Sequence, residues 1–349
     1  MKFSNFLFPA AMDPQDDHRV IEETLKEAHL CDSLGMEMLW LAEHHFDGIC
    51  AYVDPVAFAA ALAASTKQIQ IGFAVAQMSL HHPIRLAEQM SLIDNISKGR
   101  LVVGLGRGTA YNIYDYQGYG IDPAEGYERL IEAEDIMIKA WTTENFQHEG
   151  KFWKLRLPLL RPRPYTKPHP VIVRAAASEP AMLEMARAGR PFLMNIQSNE
   201  VTKHRMNLYR KTMRESGFDE ATVQKNVDDT WAWRNIFVGE TDAEAKRLAL
   251  EPFEMQQTFR TLMRKRVYQE QGLLLKEESG GPAARNQAQH SLLCGSPATI
   301  AEAIHEIDKI GVGGLILVFR LGPMPYEVAA NSIRLFMSKV APEFRKRAG

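Results

Sequence analysis

Short apolar runs alternate with longer amphipathic stretches along nearly the whole chain. Short apolar runs read as buried strands, and longer stretches with a period near 3.6 read as helices. The strand segments are Phe3–Pro9, Met38–Ala42, Ile69–Ala76, Leu101–Leu105, Val171–Ala175, Phe192–Ile196, Thr230–Val238 and Leu315–Phe319. The helical segments are His18–Leu34, Pro55–Thr66, Pro83–Ile96, Pro123–Trp141, Glu179–Ala188, Asn199–Ser216, Asp242–Lys265, Ala298–Ile310 and Tyr326–Val340. Gly35 stops the first helix, Asp54 ahead of Pro55 suits an N-cap, and Ser178 begins the fifth.

Eight strands, each followed by at least one helix, argue for a parallel sheet closed into a (β/α)8 TIM barrel, one domain over residues 1–349. An open doubly wound sheet would want a Gly-rich turn after the first strand, and Phe8-Pro9-Ala10-Ala11 is not one. Two insertions break the rhythm. Asn145–Lys167 reads as a hairpin excursion. The polar stretch Arg266–Ser291 reads as a functional lid or a loop without fixed structure.

Composition narrows the class. At 349 residues and 46% hydrophobic, the chain can bury a large core, to which most of the 16 Met and 16 Phe are assigned. A net charge of −2 without a basic stripe argues against a nucleic-acid partner. Cys31, Cys50 and Cys294 form neither a metal spacing nor a disulfide framework, which fits a reducing compartment. Met1-Lys2-Phe3-Ser4-Asn5 does not open a signal peptide, and no apolar run is long enough to span a bilayer. The expectation is a soluble, cytoplasmic protein without a membrane partner.

The chemistry collects at strand ends, where barrel enzymes hold their active sites. Glu43-His44-His45-Phe46 directly follows the second strand. Imidazoles titrate near neutrality and can move protons there, although a satisfied structural histidine is the plainer reading. Gly104-Leu105-Gly106-Arg107-Gly108 follows the fourth strand, where Arg107 is a candidate phosphate fork. Ser178 opens the helix after the fifth strand, as an anion ligand or a plain cap. Together they suggest a phosphorylated cofactor with its reactive ring over the barrel mouth. A metal-dependent hydrolase using His44, His45, His81 and His82 is the rival. The ends Ala175-Ala176-Ala177, Ile196-Gln197 and Arg320-Leu321-Gly322 add no ligand to it. Aromatics in Tyr111–Tyr119, among them Tyr111 and Tyr114, are candidates for a substrate wall, and Arg260–Arg266 reads as a solvated helix face. The Ala- and Met-rich helices Pro55–Thr66 and Pro83–Ile96 suit a homodimer interface.

These residues resemble the bacterial luciferase-like flavin-dependent monooxygenases, which include alkanal and limonene monooxygenases. The shared signatures are Glu43-His44-His45-Phe46, Ile71-Gly72-Phe73-Ala74-Val75, and His82-Pro83 with Arg85, Ala87 and Glu88. They continue through Asp94, Ser97, Gly99 and Arg100 to Gly104, Gly106, Arg107 and Gly108. The resemblance implies a barrel that binds reduced FMN and uses O2 to oxygenate a small organic substrate through a flavin peroxide. Arg107 and Ser178 would hold the phosphate. Ala74-Val75, joined by a cis peptide, would lie under the isoalloxazine. His44 would be the catalytic imidazole, with His45 and His82 supporting it. Arg266–Ser291 would be the mobile lid. No segment resembles an NADH-binding module, so the reduced FMN would come from a separate NAD(P)H:flavin reductase. A deazaflavin-dependent oxidoreductase of the same superfamily is the neighbouring alternative. The chain departs from luciferase itself at Ala177, where an acidic residue is usual, and over Tyr111–Tyr116.

Overall fold

The computed structural model describes residues 1–8, 10–108, 113–272 and 287–345. Its strands are β1 (Lys2–Leu7), β2 (Met38–Leu41), β3 (Gln70–Phe73), β4 (Ala76–Gln77), β5 (Leu101–Gly106), β6 (Phe146–Glu149), β7 (Lys154–Leu157), β8 (Val171–Ala175), β9 (Phe192–Met194), β10 (Trp231–Val238), β11 (Leu292–Gly295) and β12 (Gly314–Val318). Its α-helices are α1 (Asp17–Ser33), α2 (Pro55–Ser65), α3 (Pro83–Ser97), α4 (Ile113–Gly118), α5 (Gly126–Thr142), α6 (Glu179–Arg187), α7 (Asn199–Glu215), α8 (Glu220–Asp228), α9 (Asp242–Glu270), α10 (Ala288–Ser291), α11 (Pro297–Asp308), α12 (Tyr326–Leu335) and α13 (Ala341–Phe344).

Strands β1, β2, β3, β5, β8, β9, β10 and β12 pair in parallel in that order, and β12 returns to β1. The sheet is therefore a closed eight-stranded barrel with helices around it. Side chains alternate between the interior and the helical shell. Trp40 of β2 and Trp231 of β10 fill the interior as an edge-to-face pair with ring centroids 5.6 Å apart. Each faces a glycine in register, Gly72 for Trp40 and Gly314 for Trp231. A Cβ on those glycines would lie 2.6 and 2.4 Å from the indole carbons. Two large rings at the axis thus require two residues without side chains beside them. The opposite strand faces, such as Phe3, Leu39, Ile71 and Val103, pack against the helices.

The strand ends are tied locally. The Tyr52 hydroxyl donates to Leu7 O (2.9 Å) and accepts from Ala42 N (2.7 Å), joining β1 to β2 below the mouth. Asp54 caps α2 through Val56 N (2.9 Å) and Ala57 N (3.1 Å), with Pro55 in the first turn as expected. The peptide Ala74-Val75 is cis. Where a single strand Ile69–Ala76 was expected, the structure has β3 and β4 on either side of this peptide, both paired with β5.

The insertion Asn145–Lys167 contains the antiparallel hairpin β6–β7. The other insertion differs from expectation at both ends. Helix α9 runs through Arg266 to Glu270, and Ala288–Ser291 forms α10. Residues 273–286 of the expected lid lie outside the described residues. The short helices α4 and α13 were not anticipated, nor were two further elements. Helix α8 falls in a mostly polar segment capped by Asp219, and β11 pairs with the upper half of β10 where the short β9 has ended. Among the described residues, no helix is long and apolar enough to cross a membrane.

Candidate active site

The C-terminal strand ends form one rim. Alternation along β2 turns Trp40 and Ala42 to the barrel axis, and His44 follows them to the mouth. Its ring meets Phe8, beyond β1, edge-to-face at 5.4 Å. Asp47 lies on its other side, with Oδ2 3.8 Å from His44 Nδ1. Oδ1 of Asp47 accepts from Ile49 N (2.8 Å) and Cys50 N (2.9 Å), so the turn itself fixes the carboxylate. Burial pushes the His44 imidazole below its ordinary range. Asp47 opposes that shift and Arg260 reinforces it. A neutral imidazole at physiological pH is a proton acceptor.

Glu43 and His45 face away from the axis into a buried polar cluster. Glu43 Oε1 accepts from His45 Nε2 and from His81 Nε2, each at 2.8 Å, and Oε2 accepts from Gln77 N at 2.6 Å. The Gln77 amide donates to Glu43 O (3.0 Å) and to Asp115 Oδ2 (2.6 Å). The Tyr119 hydroxyl is 3.3 Å from His45 Nδ1. Burial alone would raise the Glu43 carboxyl. His81, the hydrogen bonds from both histidines and the Gln77 N–H outweigh it and hold the group at about 2. Burial alone would likewise lower His81, but Glu43 raises it above its ordinary value. Both imidazoles direct Nε2 at the carboxylate rather than at a shared open point. Among the described residues, no group of three or more His, Cys, Asp or Glu is placed to hold a metal ion.

Across the mouth, Ala74 and Val75 are half-buried at the end of β3. Gly106 faces them, and a Cβ there would lie 2.5 Å from Val75 Cγ2. Arg107 is exposed one residue further on, and the buried Tyr116 donates to its carbonyl. β5 pairs with β8 in the register Leu105↔Arg174, so Arg107 and Ser178 leave neighbouring strand ends. Ser178 is exposed, caps α6 through Ala181 N (3.4 Å), and lies beside Ala177, whose carbonyl accepts from Arg205 (3.2 Å). These groups fit a flavin mononucleotide. A cationic fork and a helix N-terminus suit its phosphate, and a strand end stripped of side-chain bulk suits its ring.

The remaining expected site residues are distributed unevenly. His82 is exposed at the N-cap of α3 and stays outside the Glu43 cluster, while its neighbour His81 joins it. Tyr114 bonds Glu270 at the end of α9 and, with Phe46, Met263 and Arg266, lines a cleft of about 450 Å³. Tyr111 lies outside the described residues. The stretch Arg260–Arg266 is largely solvated as expected, with Thr261, Leu262, Lys265 and Arg266 exposed, but Arg260 departs from it. Arg260 is half-buried with its guanidinium 5.8 Å from the Phe8 ring centroid, and Val267 is buried. The charges around it gave no sign that this one position turns to the mouth. Glu43, Gln77 and Asp115 were also missed as a cluster, and the adjacent Glu43-His44 pair was the available signal.

The model of a family described as luciferase-like monooxygenase matches residues 1–313. The chain belongs to that family. It is a flavin-dependent monooxygenase by class. The alkanal monooxygenase alpha chain of the Kryptophanaron alfredi symbiont is 28% identical over 226 residues, 64% of this chain and 62% of that one. Among solved structures, the monooxygenase RslO1 from Streptomyces bottropensis superposes with a TM-score of 0.82 at 26% identity, covering 99% of this chain and 100% of that one. The oxygenating constituent of 3,6-diketocamphane monooxygenase from Pseudomonas putida, solved with FMN, gives 0.80 at 22% identity over 99% of both chains, a likeness of fold. Deazaflavin-dependent enzymes share the luciferase-like fold as well, at 15% and 16% identity.

Proposed function

We propose that this luciferase-like protein is the oxygenase half of a two-component system. It takes reduced FMN from a separate NAD(P)H:flavin reductase and uses O2 to oxygenate a small organic substrate. The observation that carries the reading is the placement of Arg107 and Ser178 on neighbouring strand ends, on the rim that also bears His44. Bound reduced FMN would supply the electrons that activate oxygen. Arg107, the Ser178 hydroxyl and the first turn of α6 anchor its phosphate. Ala74, Val75 and Gly106 leave room for its ring. His44, held by Asp47, accepts a proton at the mouth, and α9 with the segment after it excludes water. His45 supports this site through Glu43. His82 takes a supporting place near the substrate, and Tyr114 holds the wall at α9. The exposed Ala57, Ala61 and Ala64 of α2, with Leu92 and Ile96 of α3, offer an apolar face for a homodimer. The setting we infer is the cytoplasm.

Arg107→Ala tests the reading. Removing a charge-assisted fork costs roughly 1.5–3 kcal/mol, so FMN affinity should fall about tenfold or more. Unchanged affinity in a fluorescence titration places the phosphate elsewhere.

A further inference from the structure

A second cavity, of about 420 Å³, lies along α9 nearer its N-terminal half than the Tyr114 cleft. That volume lies within the range of small-molecule sites. Its floor is Phe8 with the loops beyond β1 and β2, where Ala11 N donates to Ile49 O at 2.9 Å. Its walls include Met12, Met255 and Leu262, which are 50%, 45% and 58% exposed. Large apolar side chains left half in water around one concavity call for an apolar occupant.

The cavity communicates with the catalytic histidine through one ring. Phe8 lines it, and the same ring meets His44 at 5.4 Å. Arg260 also lines it and covers Phe8 at 5.8 Å. The end nearest His44 therefore carries a strong hydrogen-bond donor. Glu251 and Glu254 also line it, nine and six residues before Arg260 on the helix. An anion meets these two carboxylates and a cation meets Arg260, so a neutral molecule fits the lining. Gln256 adds an independent sign. It lines the cavity, is 7% exposed, and its Oε1 has no hydrogen-bond partner. Buried carbonyls are normally satisfied, so an acceptor is held ready for a ligand hydroxyl or a bound water.

We propose that this cavity is the organic-substrate site and takes a neutral, largely apolar molecule whose carbonyl oxygen is received by Arg260 beside His44. The proposal rests on the monooxygenase reading above for the word substrate, while the ligand class rests on the cavity. Arg260 serves as a specificity residue. It selects for an acceptor oxygen and holds it at the histidine.

The full-length protein is titrated with prodan, a neutral naphthalene ketone whose emission moves to the blue in apolar surroundings. Saturable, blue-shifted binding is expected. Methyl nonyl ketone should displace it at a concentration about tenfold or more below that needed for undecanoate, since like-charge contact penalises the acid. Met255→Glu and Leu262→Glu place a charge on exposed positions that the fold tolerates, and each should weaken prodan about tenfold or more. Arg260→Met should weaken methyl nonyl ketone about fivefold, the loss of one hydrogen bond. FMN titrations on the same variants should match the wild type. Absence of saturable prodan binding, equal or tighter binding of undecanoate, or unchanged affinity in both glutamate variants overturns the proposal. So does a change confined to sedimentation, which would mark the face as a contact between copies. FMN binding without prodan binding refutes the cavity alone. Prodan binding without FMN binding refutes the flavin reading and leaves the cavity's ligand class standing.

Discussion

Glu43→Gln separates the buried cluster from ordinary packing. The substitution keeps the side-chain volume and removes the charge. In the native protein, the carboxylate lies at about 2 against an ordinary 4.5, which is roughly 3 kcal/mol of preference for the ionised form. The glutamine either turns its N–H toward the Gln77 N–H, leaving a buried donor without an acceptor, or turns it toward the imidazoles, which can accept only when neutral. Breaking a buried ion pair from one side typically costs about 3–5 kcal/mol, so a loss of about 3 kcal/mol at pH 6 is expected in urea unfolding. The pH dependence has a definite shape. Glu43 titrates lower in the folded state, so its contribution is present above pH 4.5 and is lost as pH falls through about 2. His81 titrates higher in the folded state, so its contribution is complete below its ordinary 6.5 and is lost as pH rises through the raised value. The gap between wild type and variant should therefore be widest between about pH 4.5 and 6.5, close as pH falls through about 2, and narrow without closing as pH rises through the raised His81 value. NMR titration should show His81 moving down in Glu43→Gln, because burial, its largest influence, is then opposed only by the weaker pull of Asp54. Stability within about 0.5 kcal/mol of the wild type, together with an unmoved His81, would refute the argument.

His44→Ala should retain FMN binding and lose about 10²–10⁴ in turnover. The acid limb of the wild-type rate profile should lie below pH 6.5, and Asp47→Asn should move it lower still, since Asp47 raises His44 more than Glu43 does. Wild-type turnover in His44→Ala with a confirmed substrate would return the histidine to a structural role. Removing residues 273–286 should leave the folded barrel and FMN binding intact while raising hydrogen peroxide released per NAD(P)H consumed, and an unfolded product would show the segment to be structural. Gly314→Ala drives a Cβ to 2.4 Å from the Trp231 ring and should cost about 1–3 kcal/mol in denaturant unfolding, whereas Gly35→Ala, at a turn with open space, tests backbone strain alone.

The barrel was legible because its information is local and periodic. Strands β2, β5 and β12 are continuous apolar runs buried on both faces, and Asp54-Pro55 and Ser178 mark helix starts by their own hydrogen bonds. The same locality placed His44, Arg107 and Ser178 at strand ends. Helix α8 escaped notice because only three of its residues are buried, too weak a stripe to show a period. Strand β11 escaped because four residues have no period, and only the free upper edge of β10 makes them a strand.

The sequence by itself determined the order of elements and the side of the barrel on which chemistry collects, since both follow from spacing along one chain. The tertiary structure alone decided which charges meet. Glu43 joins His81, 38 residues away, and Asp115 through Gln77. Arg260, on a helix that looks solvated in sequence, reaches Phe8. Hydrogen bonds and burial depend on distance through space, and the closed sheet sets that distance only when its first and last strands pair.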